Sequence, residues 1–409
     1  MNKTTNLTGT AIEPLMQGLL NSSGLRSIHI GSKELLPIIQ GGMGVGISAH
    51  QLAGSVASLG GVGTISSIDL RRLHPDLMAK TDRLPPSDKT KAAINAANLT
   101  ALEREIVLAR ELSNGYGMLA VNVMRAVSEY GPYIIKALHS GIEAVVVGAG
   151  LPLDLPDLAQ DFPNVNLIPI LSDARGLQLI IKKWERKGRL PNAIILEHPR
   201  LAGGHLGAAK IEDLNDPKYD FENSIPQSIE FLKVAGLEGK IPLIAAGGIT
   251  NLEDIKRMQG YGASGAQLGT AFAVTHESGA HPLFKKTLAE AKLEDIVEFI
   301  SVAGLPARAI KTPWLIKYLE TETKLKSVAH KKEHCTLSFD CLIECGLRDG
   351  NAAVGQFCID KHLGFALEGD LKKGLFFRGA GKLPFGDQIK SVKELMIFLL
   401  TNDKASVIQ

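Results

Sequence analysis

The sequence predicts an α/β protein built on a (β/α)8 TIM barrel, followed by a C-terminal appendage that contains cysteines. Short apolar, β-branched runs occur eight times along the 409 residues, and amphipathic stretches separate them. Continuous apolar runs indicate strands that are buried on both faces, as in a parallel sheet. Because repeated strand–helix units join parallel strands, eight such units favour a closed barrel over an open, doubly wound sheet.

The predicted strands are short and carry few charges. In chain order they are 36–40, 62–66, 119–123, 144–148, 167–171, 193–197, 242–246 and 266–270. Amphipathic patterns predict helices between them, at 48–60, 134–141 and 251–262. The predicted barrel spans residues 26–320. Residues 1–25 are expected to form an N-terminal arm or a short helix outside it.

Two segments interrupt the barrel pattern and are predicted to be insertions. Residues 67–91 include a charged stretch with prolines and precede a predicted helix at 92–115. Residues 208–227 are irregular and precede a predicted helix at 228–237. Because TIM barrels place their active sites at the C-terminal ends of the strands, the segment 208–227 is expected to cap the active site.

The C-terminal appendage, residues 321–409, is predicted to end in a helix at 391–402 and contains every cysteine of the chain. These are Cys335, Cys341, Cys345 and Cys358. Four thiolates suffice to bind zinc or an iron–sulfur cluster, although their spacing matches neither the usual zinc ribbon nor the ferredoxin pattern. Buried reduced thiols and a redox-active disulfide are the alternatives.

The composition narrows the classes of function. Hydrophobic residues make up 45% of the chain and charged residues 22%, as in ordinary globular proteins. A net charge of +2 without a basic stripe argues against a nucleic-acid partner. Apolar runs stay shorter than the roughly 18–20 residues of a membrane span. The first ten residues do not resemble a signal peptide, so a cytoplasmic location is expected.

Glycines cluster where the first, seventh and eighth predicted strands end. The segments are QGGMGVG at 40–46, AAGGIT at 245–250 and QLGTAF at 267–272. Consecutive glycines allow the backbone to approach a flat ligand closely, although they also suit a tight turn. TIM barrels commonly hold a phosphate at the loops after strands seven and eight. The predicted phosphate-binding residues are Gly247, Gly248, Gly269 and Thr270.

Polar side chains follow other strands. Asn122 lies within an apolar strand, where its carboxamide needs hydrogen bonds either from neighbouring backbone or from a polar ligand. Glu197 ends the sixth strand, and His205 follows a pair of glycines in the next loop. An imidazole there can act as a general base or as a hydrogen-bond donor, with His198 as a weaker candidate. The remaining lone histidines considered, His29, His50, His74 and His139, are expected to be structural.

Taken together, these motifs resemble the nitronate monooxygenase family, and they also occur in the related FMN-dependent enoyl-acyl-carrier-protein reductases. The matching segments are 37–46, 120–124, 201–207, 241–249, 262–278 and 304–310. One departure is the stretch EHPRL before the AGGH of residues 202–205. The resemblance implies that FMN lies across the barrel mouth and that His205 is catalytic. It implies cofactor contacts from Gly42, Met43, Gly44, Asn122, Glu197, Gly203, Gly204, Gly247, Gly248, Gln267, Gly269 and Thr270.

Three functions are compatible with these features. The leading hypothesis is the oxidation of alkyl nitronates with O₂, in which His205 deprotonates a nitroalkane or orients its nitro group. The alternative is an NAD(P)H-dependent reductase of enoyl thioesters, and reduction of FMN by NAD(P)H would distinguish it. A third possibility, of another class, is a redox-sensing flavoprotein that uses its C-terminal cysteines.

Overall fold

Eight parallel strands close into a barrel in the computed structural model, which describes residues 10–85, 87–330, 339 and 341–403. The strands are β1 (Ile28–Ile30), β2 (Lys33–Leu35), β3 (Ile38–Gln40), β4 (Val62–Ser66), β5 (Met118–Met124), β6 (Ala144–Gly148), β7 (Asn166–Leu171), β8 (Ile194–Glu197), β9 (Gly204–His205), β10 (Leu243–Ala246), β11 (Gly265–Leu268), β12 (Ile296–Ile300) and β13 (Pro306–Ile310). The barrel order is β10-β11-β3-β4-β5-β6-β7-β8. The predicted TIM barrel is therefore confirmed, and each of the eight predicted strands lies within two residues of an observed one.

Burial on both faces explains why the strands are continuously apolar. In β6, Ala144 and Val146 belong to the apolar cluster inside the barrel. Val145 and Val147 belong to the cluster between the barrel and its surrounding helices. Because successive side chains of a strand point to opposite faces, both sets must be apolar.

Helices follow most of the barrel strands and cover the outside. They are α1 (Pro14–Ser23), α2 (His50–Ser58), α3 (Pro75–Thr81), α4 (Asp88–Ser113), α5 (Tyr130–His139), α6 (Leu155–Leu158), α7 (Ala174–Glu185), α8 (Phe221–Val234), α9 (Leu252–Tyr261), α10 (Thr270–Ala273), α11 (Pro282–Glu290), α12 (Pro313–Ser327), α13 (Gly346–Asp349), α14 (Ile359–Leu367) and α15 (Val392–Thr401). Within the described ranges, no helix has both the length and the apolarity needed to cross a bilayer.

Both predicted insertions contain more helix than expected. In 67–91, α3 is present and α4 begins at Asp88, because the Ser87 side chain accepts a hydrogen bond from the backbone of Thr90. In 208–227, α8 begins at Phe221 and runs through Pro226. The prediction that 208–227 is irregular throughout is wrong here. Burial of one helix face, which includes Phe221 and Ile225, outweighs the hydrogen bond that Pro226 cannot donate.

Two small antiparallel sheets were not predicted. The hairpin β1–β2 places Ile28, Ile30 and Leu35 in the same apolar cluster as the barrel interior, so it closes the N-terminal end of the barrel. A three-stranded sheet of order β12-β13-β9 stands at the opposite end. This second sheet carries His205 on β9.

The C-terminal segment packs back onto the barrel. The helix α15 contacts α1, α2 and α9, and Leu395, Met396 and Leu399 on it are buried. Nearer the start of the segment, Leu342 forms an isolated β-bridge with Val127, which follows β5. Residues 341–403 therefore share the barrel's apolar core and reach its C-terminal mouth.

Candidate active site

A cavity of about 590 Å³ opens at the C-terminal ends of the barrel strands. This volume is within the range of sites that bind small molecules and cofactors. The structure brings all the predicted catalytic and cofactor-binding residues to its wall. They are Gly42, Met43, Gly44, Asn122, Glu197, Gly203, Gly204, His205, Gly247, Gly248, Gln267, Gly269 and Thr270.

The loop after β3 needs its glycines because it lies directly on neighbouring side chains. A Cβ added to Gly42 would stand 2.3 Å from Cβ of Asn122, and one added to Gly44 would stand 2.3 Å from Ile68 Cγ2. The result is a cavity wall of bare backbone. Asn122 donates its Nδ2 to the carbonyl of Val146 at 3.3 Å, while its Oδ1 has no hydrogen-bond partner in the described chain. The protein thus provides a hydrogen-bond partner for the amide nitrogen of Asn122, and the amide oxygen is available to a ligand.

The loops after β10 and β11 meet the C-terminal segment at one end of the cavity. Gly247 and Gly248 have φ values of +108° and +72°, a backbone conformation that favours glycine. Thr270 begins α10, and its Oγ1 accepts the N–H of Gly379 at 3.1 Å. Gly381 lies so close to Gly248 that an added Cβ would be 3.4 Å from its Cα. The glycine-bearing loops, the Thr270 hydroxyl and the backbone at Gly379 and Gly381 therefore meet where a phosphate was predicted.

Glu197 ends β8 and lines the cavity without a hydrogen-bond partner in the described part of the chain. Burial raises the pKa of this carboxyl to about 7, because the charged form loses hydration that no protein donor replaces. The exposed fraction of Glu197 faces the cavity rather than the outer surface. At neutral pH the side chain is therefore present both as an acid and as a carboxylate.

His205 is held on β9, which pairs with β13 through Ala307. Its Nε2 lies 3.0 Å from Oγ of Ser301, and its ring packs at a tilt against Phe377, with 5.7 Å between centroids. Burial lowers the pKa of His205 to about 4, since the imidazolium would lose its hydration. At neutral pH the imidazole is neutral.

A buried arginine fixes the turn that leads to His205. Arg308, which is 1% exposed, donates its Nη1 to the carbonyls of Pro199, at 3.0 Å, and of Ala202. Its Nε and Nη2 donate to Oε1 of Glu298 at 3.0 and 2.8 Å. Arg308 belongs to the GLPARAI motif of 304–310, for which the sequence indicated no role.

The weaker candidate His198 lies behind the cavity wall. It is 3% exposed, and its Nε2 lies 3.1 Å from Oδ1 of Asp220, which also accepts from Arg200. It is not among the cavity-lining residues of the described chain. His50 and His74 both contact Glu105, at 2.7 and 3.0 Å, away from the cavity. For these histidines the contacts support a structural role.

The far wall of the cavity was not predicted. It is apolar and combines Ile68 with Leu342, Ile359 and Leu363 from the C-terminal segment. Beside them, the buried Asp360 accepts from Nη2 of Arg72 at 2.8 Å. Burial, together with nearby Asp69, raises the pKa of Asp360 to about 6. The sequence shows short apolar stretches at 341–343 and 357–359 but not the surface on which they dock.

The structure describes three of the four cysteines and places them at different positions along the C-terminal segment. Cys335 lies outside the described residues, Cys341 lines the cavity, and Cys345 and Cys358 precede α13 and α14. Among the residues that the structure describes, no group of three or more His, Cys, Asp or Glu is arranged to hold a metal ion. Zinc or iron–sulfur binding at the four cysteines therefore stays a prediction that depends on Cys335.

Comparison with known proteins gives a consistent picture. The sequence model of the nitronate monooxygenase family matches residues 29–402. A probable nitronate monooxygenase of Bacillus subtilis is 26% identical over 311 residues, which cover 70% of this chain and 80% of that protein. Among solved structures, FabK from Thermotoga maritima has a TM-score of 0.61 at 21% identity, covering 97% of this chain and 98% of FabK. The nitroalkane oxidase of Streptomyces ansochromogenes has a TM-score of 0.60 at 19% identity, covering 91% of this chain and 96% of that one.

Proposed function

Because the chain belongs to the nitronate monooxygenase family of oxidoreductases, we propose that it is an FMN-dependent enzyme that oxidises alkyl nitronates with O₂. The observation that carries the proposal is the cavity at the strand ends, whose wall contains both the glycine-bearing loops and His205. The family likeness supports the reaction class, and the contacts around the cavity support the cofactor and substrate.

The residues present fit FMN. The bare backbone at Gly42 and Gly44 suits a flat ring system, since side chains there would collide with Asn122 and Ile68. The free Oδ1 of Asn122 can accept a hydrogen bond from the edge of a polar heterocycle. At the other end, the N–H groups around Gly247 and Gly248, with the Thr270 hydroxyl, can bind the phosphate.

The cavity has a polar wall at His205 and an apolar wall, and these suit the charged group and the alkyl chain of an alkyl nitronate. When bound, FMN supplies the electron-accepting chemistry that the protein side chains lack. The neutral His205 lines the cavity and can form a hydrogen bond with the negatively charged oxygens of the nitronate group. The apolar wall of Ile68, Leu342, Ile359 and Leu363 can bury the alkyl chain. Glu197, with a pKa of about 7, can donate a hydrogen bond in its protonated form.

The experiment is an absorbance spectrum of the purified protein, followed by O₂ consumption with pre-formed nitronates. We expect flavin bands and nitronate-dependent O₂ uptake. A protein that purifies without flavin and cannot be reconstituted with FMN would contradict the proposal. Rapid reduction of the flavin by NADH or NADPH, with turnover of an enoyl thioester and none of nitronates, would instead identify the reductase.

A further inference from the structure

Ser301 makes a buried contact with the histidine of the site. It follows the end of β12 and is fully buried, at 0% exposure. Its Oγ lies 3.0 Å from Nε2 of His205 and accepts the backbone N–H of Ala303 at 3.3 Å. In the described chain, this hydroxyl makes no other hydrogen bond.

The number of protons and lone pairs on the Ser301 hydroxyl determines which partner donates in each of its hydrogen bonds. A serine hydroxyl has one proton and two lone pairs, and the N–H of Ala303 occupies one lone pair. The proton then needs an acceptor, because a buried hydroxyl proton without one is costly. Among the described residues, Nε2 of His205 is the acceptor within reach. Ser301 therefore donates to Nε2, and Nε2 carries no proton of its own.

The other ring nitrogen follows from this assignment. The imidazole is neutral because burial lowers its pKa, so it carries one N–H, and that N–H must be on Nδ1. Nδ1 has no hydrogen-bond partner in the described ranges, while the residue lines the cavity. The pairing of β9 with β13 and the packing of Phe377 hold the ring in place.

We propose that Ser301 is a positioning residue that fixes His205 as the Nδ1–H tautomer, so that His205 offers the cavity an N–H donor instead of a proton-accepting nitrogen. An N–H donor can bind the negatively charged oxygens of a nitronate. It cannot remove a proton from the carbon of a neutral nitroalkane, because that step needs a ring nitrogen with a free lone pair. The choice of substrate rests on the proposed function, but the tautomer does not.

The tautomer can be measured directly on the purified flavoprotein. Protein labelled with ¹⁵N-histidine gives long-range ¹H–¹⁵N correlations that distinguish a protonated from an unprotonated ring nitrogen, and His205→Asn identifies the signals of His205. We expect protonated Nδ1 and unprotonated Nε2 in the wild type. In Ser301→Ala we expect a mixture of tautomers, and Ser301→Thr should restore the wild-type pattern.

A matched control is Ser278→Ala. Ser278 is also buried and accepts the N–H of the residue two positions later, at 3.4 Å from Ala280, but it forms no hydrogen bond with a histidine in the described chain. This variant should leave the His205 signals unchanged. Protonated Nε2 in the wild type, or an unchanged pattern in Ser301→Ala, would overturn the proposal.

Kinetics give a second readout. If nitronates are the substrate, Ser301→Ala should lower kcat/KM for them roughly 2- to 12-fold, the range that one net hydrogen bond allows. Ser301→Thr should recover most of this loss. His205→Asn should impair oxidation of nitronates. Nitroalkane samples should lose activity to the same extent, because they react only through nitronate that forms in solution. Selective loss with nitroalkanes would show that His205 is a base and overturn the donor role. If neither compound is a substrate, the NMR result still decides the tautomer.

Discussion

The proposed phosphate site can be tested at Gly269 without disturbing the fold. Gly269 has φ −105°, a value open to any residue, and an added Cβ would meet only Met43 Sδ, at 3.8 Å. In Gly269→Leu the side chain should therefore extend into the cavity at the phosphate end. If the phosphate of FMN loses two charge-assisted hydrogen bonds, each worth about 1.5–3 kcal/mol, the protein would bind FMN about 3–6 kcal/mol more weakly. The Kd should rise roughly 10²- to 10⁴-fold.

The assay is a fluorescence titration of flavin-free protein with FMN and with riboflavin, which lacks the phosphate. Wild-type protein should prefer FMN strongly, and Gly269→Leu should lose that preference. Gly260→Leu is the matched control, because Gly260 is a helical glycine with nothing within 4 Å of an added Cβ. If Gly269→Leu keeps both the wild-type Kd for FMN and the preference over riboflavin, the phosphate does not bind at this loop.

Three further predictions concern other parts of the site. The carboxyl of Glu197 has an ordinary pKa of 4.5, which burial raises to about 7 in the folded state. Between these two pH values Glu197 is protonated in the folded state and ionised in the unfolded state. The free energy of unfolding should therefore fall as pH rises, by up to about 3 kcal/mol. Urea unfolding of flavin-free protein from pH 5 to pH 8 should show this fall in the wild type and not in Glu197→Gln. Leu363→Trp should lower kcat/KM for hexyl relative to ethyl nitronate roughly fourfold for each methylene excluded, whereas the exposed control Ile316→Trp should not. If the four cysteines form one metal site, elemental analysis of anaerobically purified protein should find stoichiometric zinc or iron, and Cys335→Ser should remove it; metal-free wild-type protein would exclude the site.

The barrel and much of its site could be predicted because their signals are local. A strand buried on both faces is apolar along most of its length, and this pattern marked all eight strands. Gly247, Gly248 and Gly269 stand at strand ends, and barrel topology brings such ends together at one mouth. The sequence positions of these residues therefore sufficed to predict that they share a cavity.

The remainder of the site depends on contacts between distant parts of the chain. His205 was visible as a candidate, but its partner Ser301 was not, because β9 pairs with β13 across a long stretch of sequence. Likewise, the short apolar stretches at 341–343 and 357–359 indicate burial but not against which surface. Further along the C-terminal segment, the glycines at 379 and 381 were a usable signal, since they repeat the glycine-bearing pattern of the barrel loops.

The return of the C-terminal segment to the barrel mouth affects how the protein acquires its cavity during synthesis. All eight barrel strands are complete by Leu268, yet Leu342, Ile359, Leu363 and Gly379 of the cavity wall lie well beyond it. The helix α15 also packs on α1, although the two helices are far apart in sequence. Such sequence-distant contacts form late, because closing long loops is entropically costly. A nascent chain can therefore complete its barrel while the mouth is still open, and the cavity gains its final walls only after the segment that follows the barrel strands has been released.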